Sequence, residues 1–308
     1  MSTKGLYIHI PFSDHITGHT VLDTVPHAYV QYIFEQIPNT YYDSIYIGGG
    51  NLLKLDKISL FYIFEKLPSF THLTVEINPH FMEDEKINII PLNTRICLGV
   101  QKGKNAYDFE YAMKLLRQKG FNNISLEIPY GIENQTLNAY VDVLNNLVHL
   151  NPDHISIHPE SEDEAFYDIT VALLTNYEYE HYEYVSFCKE NKKSPQTLIY
   201  SQYVDYDAVG LGSTYKKDNI RYTWSSNYET MDSFETEPID DVVFEYVMMH
   251  LHLKEGMHLD TFKSKFGLSV YNVWCSKFEH EDLKLEKGYL SLRNLKYLDT
   301  VLIHFLNT

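Results

Sequence analysis

The chain predicts an α/β protein: a parallel sheet with crossover helices, either doubly wound or wrapped into a partial (βα)6 barrel, followed by a small α+β unit. Three observations carry that expectation. Six short runs rich in Ile, Val, Leu or Tyr recur through the first 160 residues, at 5–10, 44–48, 73–78, 94–100, 123–129 and 154–158. Segments with helical spacing lie between them. After residue 177 the regime changes.

The elements follow in order. Leu137, Val141, Leu144 and Val148 recur at helical intervals, and Phe109, Met113 and Leu116 do so in a segment that stops at Gly120. Strand alternating with helix implies parallel strands joined by right-handed crossovers, with function expected at the strands' carboxyl ends. The stretch 177–185 alternates like a half-buried strand, and 201–227 reads as a turn-rich, Tyr-rich passage without helical period. Then come a helix over 240–253, two short helices split by Gly267, a hairpin around Lys287-Gly288 and a last helix ending near Phe305. The expected organisation is a barrel over 1–200 and a C-terminal α+β domain over 201–308.

Length and composition bound the function. With 308 residues and 44% hydrophobic content, the chain can build a large core. Lys+Arg 25 against Asp+Glu 42 gives −17, which argues against nucleic acid or an anionic membrane as partner. Cys97, Cys188 and Cys275 are odd in number and far apart, fitting neither a disulfide framework nor a thiolate metal knuckle. No apolar run reaches membrane-spanning length, and the first residues lack the apolar core of a signal peptide. A cytoplasmic protein is expected.

Polar groups gather at the ends of several strands. Gly48, Gly49 and Gly50 close the second, permitting positive φ and close approach of a ligand to backbone amides. Glu76 and Asn78 close the third with the same facing, Gln101 follows the fourth, and Glu127 sits on the fifth. After the first strand the chain runs through Ser13, Thr17 and Thr20, three small hydroxyl residues. This layout suits a barrel-mouth site for a small polar ligand. Two other groupings suggest metal or haem. Asp14, His15 and His19, with His9 or His27, have spacing open to zinc, and Met248, His250, His252, Met257 and His258 offer axial-ligand types. A solvated loop and core packing are the readings favoured for these two.

The motifs then become recognisable in order. Gly5-Leu-Tyr-Ile-His-Ile-Pro-Phe12, Asp43-Ser-Ile-Tyr-Ile-Gly-Gly-Gly50, Glu76-Ile-Asn-Pro79, Arg95-Ile-Cys-Leu-Gly-Val-Gln101, Pro129-Tyr-Gly-Ile-Glu-Asn-Gln-Thr136 and Pro152-Asp-His-Ile-Ser156 stand in the first part of the chain. Tyr182 to Lys189, Val209-Gly-Leu-Gly212 and Phe262-Lys-Ser-Lys-Phe-Gly267 stand in the second. Together they resemble the radical S-adenosylmethionine (SAM) family of oxygen-independent coproporphyrinogen III oxidases, most closely its haem-chaperone branch, over nearly the whole length. The resemblance implies a radical-SAM-type barrel with the family's C-terminal domain.

It also locates the departures. In the family the loop after the first strand carries Cys-x3-Cys-x2-Cys, and Ser13, Thr17 and Thr20 occupy those positions here. Hydroxyls stay protonated near neutral pH and do not hold an iron–sulfur cluster. Asn51 and Leu52 replace a Thr-Pro pair, Ile132 to Asn134 replace Leu-Pro-Gly, and Gln196 to Ser201 match a haem-associated motif without its histidine. Tyr7, Gly48, Gly49, Gly50, Glu76, Asn78, Gln101 and Glu127 match family positions around SAM, so the resemblance implies a residual cofactor site there. The expectation is a cluster-less, non-radical binding or partner protein related to haem and tetrapyrrole metabolism, with weak SAM or haem affinity and no catalytic or metal residue assigned. Its ligand would be a small molecule or tetrapyrrole, and a protein partner is open. The alternatives are an active radical SAM enzyme with unforeseen cluster or metal ligands, and a cytoplasmic haem carrier.

Overall fold

The computed structural model describes residues 4–11, 27–99 and 109–307. Its six leading strands are β1 (Gly5–His9), β2 (Tyr42–Gly48), β3 (Phe70–Ile77), β4 (Arg95–Leu98), β5 (Ile124–Tyr130) and β6 (His154–Pro159). They pair in parallel with their neighbours in chain order. The helices that follow them are α1 (His27–Glu35), α2 (Lys57–Lys66), α3 (Asp84–Ile87), α4 (Glu110–Lys119), α5 (Leu137–His149) and α6 (Glu164–Asn176). The architecture is the partial (βα)6 barrel.

Side-chain alternation explains why these segments wrap as they do. Leu6, Ile8, Ile45, Ile47, Val75, Ile77, Ile96, Leu98, Leu126, Ile128, Ile155 and Ile157 are all buried in one core with the helices. The alternate positions carry Tyr7, Tyr46, Glu76, Cys97 and Glu127, which face the barrel interior. Local signals fix the helix ends. Asp56 caps α2 by accepting from Ser59 N at 2.8 Å, Thr136 caps α5, and Gly120 at φ 97° ends α4 in the left-handed region.

Beyond β6 the sheet continues with β7 (Glu180–Glu183) and β8 (Ser186–Cys188), β8 lying antiparallel to β6. Helix α7 (Pro195–Ser201) then returns the chain to β9 (Tyr206–Val209), which is parallel to β1. An antiparallel meander follows, made of β10 (Thr214–Lys217), β11 (Ile220–Trp224) and β12 (Phe234–Pro238). The turn-rich, Tyr-rich passage over 201–227 therefore contains three strands. Its tyrosines are the reason: Tyr215 and Tyr222 stack across the pair with centroids 4.5 Å apart, a cross-strand contact that no aliphatic pattern announces.

A second core gathers Tyr203, Val247, Leu251, Phe262, Trp274, Leu290, Val301 and Phe305. It is built from α8 (Val242–Leu251), β13 (Met257–His258), α9 (Leu259–Cys275), β14 (Leu283–Glu286), β15 (Tyr289–Leu292) and α10 (Leu298–Asn307). Gly267, at φ 84° and ψ 168°, breaks α9 into two helices, and Lys287-Gly288 turns the β14–β15 hairpin. Backbone bonds join the two cores: Tyr184 N donates to His252 O at 2.8 Å and Lys254 N to Tyr182 O at 3.0 Å. Tyr184 packs against both. Among the described residues no helix is long and apolar enough to cross a membrane.

Candidate functional site

The barrel interior brings together Tyr7, Tyr46, Glu76, Cys97 and Glu127, one from each of β1 to β5. Glycines make this convergence possible. A Cβ at Gly48 would lie 2.5 Å from the Tyr46 ring and 2.6 Å from Glu76 Oε2. At Gly49, whose φ is 100°, it would fall 1.8 Å from His9 Cδ2. At Gly99 it would meet Glu76 Oε1 at 2.9 Å and Glu127 Oε2 at 3.4 Å, so both carboxylates reach the space above one missing side chain.

Each acid has its own supports. Glu76 Oε2 accepts from Gly49 N at 3.3 Å and from Tyr46 Oη at 3.5 Å. Glu127 Oε1 accepts from Cys97 Sγ at 3.2 Å, and His158 Nε2 stands 3.8 Å from Glu127 Oε2. Burial, followed by the Glu127 charge, pushes the Glu76 carboxyl up to about 8, against the pull of the Gly49 amide and Tyr46. Glu127 is raised by burial and restrained by the Cys97 thiol and Arg95. The Glu76 carboxyl, held protonated near neutral pH, supplies a donor among several acceptors, a set suited to ligand hydroxyls or an ammonium group.

The first wall is set by His9, whose Nδ1 lies 2.7 Å from Leu211 O. A carbonyl only accepts, so Nδ1 carries the proton. The ring stacks on Tyr7 with centroids 5.7 Å apart. Arg95, 5% exposed, sits in the same interior and donates to Lys192 O at 2.9 Å.

Of the residues singled out in the sequence, Tyr7, Gly48, Gly49, Glu76 and Glu127 meet here. Gly50 continues the same turn. Asn78 serves as a cap instead, its Oδ1 accepting from His80 N at 2.9 Å to hold a short turn. Asn51 does likewise, accepting from Leu53 N at 3.1 Å. Ser13, Asp14, His15, Thr17, His19, Thr20 and Gln101 lie outside the described residues. His9, Tyr46, Cys97, Gly99 and His158 join the site although the sequence reading gave them no place in it. Facing parity was the available signal, since each lies two residues from another interior position.

The thiols stand apart. Cys97 is in the interior of β4, Cys188 is buried on β8, and Cys275 is half-buried on α9. Burial, then the charges of Glu127 and Glu76, raises the Cys97 thiol far above its usual range, and burial pushes Cys188 up to about 11. Neither is poised to become a thiolate ligand. Among the described residues no group of three or more His, Cys, Asp or Glu side chains is arranged to hold a metal ion. The C-terminal histidines serve the fold: His250 Nδ1 lies 2.8 Å from Tyr246 O, His252 Nδ1 lies 2.9 Å from Met248 O, and His258 caps α9.

The partial barrel with its appended α+β unit has a counterpart among solved structures. The solved HemN coproporphyrinogen III oxidase of Escherichia coli, described as a radical SAM enzyme, matches with a TM-score of 0.79 over 99% of this chain and 90% of its own at 13% identity, a likeness of fold alone. In sequence the chain is similar to the haem chaperone HemW of Haemophilus influenzae, 26% identical over 86% of each chain. It is also similar to the HemW of Lactococcus lactis, 24% identical over 88% of this chain and 87% of that one. The oxygen-independent coproporphyrinogen III oxidase of Helicobacter pylori is 22% identical over 75% of this chain and 57% of its own. No family model matches. The resemblance carried by the motifs thus holds across most of the chain.

Proposed function

We propose that this chain is a cytoplasmic, haem-chaperone-like protein that binds a ligand in its barrel without radical chemistry. The carrying observation is the substitution of Ser13, Thr17 and Thr20 at the family's three cluster-cysteine positions. The remaining thiols do not fit a cluster either, being spread over β4, β8 and α9 with Cys97 and Cys188 held protonated. The named relatives support haem or another tetrapyrrole as the cargo, with HemW carrying the name haem chaperone.

The interior supports a residual SAM-type site. The Gly48–Gly49 backbone and Glu76 present an amide and a carboxyl at one edge, and Glu127 faces them from β5. These groups bind and orient; they transfer no electron. Charge-assisted hydrogen bonds contribute roughly 1.5–3 kcal/mol each, so the expected SAM affinity is roughly high-micromolar to millimolar. The test is anaerobic purification with iron and sulfide reconstitution, then calorimetry with SAM. The expected result is no stoichiometric cluster, weak SAM binding further weakened by Glu76→Ala, and no 5′-deoxyadenosine with dithionite. About four iron per chain with catalytic 5′-deoxyadenosine would overturn the reading.

A further inference from the structure

Outside the barrel wall, where the chain leaves β5 and β6 and meets α10, a cleft of about 650 Å³ is lined by Tyr130, Tyr167, Tyr184, Glu162, Lys296 and Asp299 among others. It is separate from the acid pair, because Tyr130 has the outward parity of Leu126 and Ile128 whereas Glu127 points inward. The Tyr130 ring is wedged in the core, stacked on Phe166 at 6.0 Å and 11°. The residue is only 4% exposed, yet its hydroxyl has no hydrogen-bond partner among the described residues and borders the cleft. Tyr167 differs: its hydroxyl donates to Tyr184 O at 3.0 Å. The Tyr167 and Tyr184 rings stack at 5.4 Å.

The lining charge is one-sided. Glu160, Glu162, Asp163, Glu164 and Asp299 stand against Lys296 alone. Lys296 Nζ lies 3.1 Å from Asp168 Oδ2 and 3.6 Å from Glu164 Oε2, so one ammonium is already seated at this rim. We propose that the cleft is a binding site for an alkylammonium group, presented by a free polyamine or by a lysine-rich segment. The Tyr130 hydroxyl, at the cleft's edge, accepts from the ammonium, and the carboxylates of Glu162 and Asp299 attract its charge. Burial pushes the Tyr130 hydroxyl up to about 12, so it stays neutral and able to accept across the physiological range. A carboxylate-bearing ligand would meet repulsion here.

Calorimetry on the full chain with spermidine, and separately with a short lysine-rich peptide, tests this. Tyr130→Phe keeps the ring and removes only the acceptor, and roughly tenfold weaker binding is expected. Glu162→Gln with Asp299→Asn should weaken binding and flatten its salt dependence. Lys296→Gln should strengthen it several-fold, because Asp168 and Glu164 lose their resident cation; loss of a merely structural ion pair gives no such gain. Binding of spermidine alone assigns the site to free polyamines and binding of the peptide alone to a partner's segment, and both uphold the ammonium reading. Binding of neither, an affinity unchanged in Tyr130→Phe, or displacement by magnesium at equal concentration overturns it.

Discussion

Gly99 removes the side chain that would separate Glu76 from Glu127, and the consequence is a carboxyl that holds its proton near neutrality. A folded-state value of about 8 for Glu76 exceeds the ordinary 4.5, so between those values the folded chain binds more protons than the unfolded one. That contribution to stability is present below about 4.5 and is lost as pH rises through about 8. Glu76→Gln keeps the shape and cannot ionise. Its melting temperature should match the wild type near pH 5 and exceed it near pH 8, by the equivalent of about 2 kcal/mol given the solvent that reaches this half-buried group. A difference between the two proteins that does not change across this range would refute the raised Glu76 carboxyl.

At the scale of elements, the parallel strands were legible because aliphatic residues alternate along each of them with chemically distinct ones. The expected runs at 44–48, 123–129 and 154–158 differ from β2, β5 and β6 only at their ends. Strands β9, β10 and β11 were not legible, because tyrosines take the places that Ile and Val hold in the barrel. Their turn at Asp218-Asn219, with φ of 51° and 63°, carries no glycine to mark it. The site shows the same division. Glu76 and Glu127 were readable as acids at strand ends, whereas Asn78 has the matching parity and is diverted into a cap that spacing does not reveal. Gly267 shows how a single residue shapes an element: its φ of 84° and ψ of 168° belong to glycine, although nothing lies within 4 Å of where its Cβ would be. Gly267→Ala should therefore destabilise by about 1–3 kcal/mol through backbone conformation alone, measured by chemical denaturation. An effect under about 0.5 kcal/mol would mean that the helix break tolerates other geometries.

Across the whole molecule, Tyr184 links the two cores through its ring and through the bond from its amide to His252 O. Wild-type thermal unfolding should be a single transition. Tyr184→Ala removes the shared ring, should cost about 2–4 kcal/mol, and should split the calorimetric trace into two transitions. A single undivided transition in the variant would show that the backbone bonds alone couple the units. The alternation along the barrel strands also bears on descent. Positions that hold the strands to the helices and positions that line the interior interleave without overlapping, so changes in one set leave the other's architecture standing. A lineage built this way can exchange its reactive groups while inheriting its scaffold intact, and the likeness that survives between distant members then records shared ancestry of form more faithfully than shared chemistry.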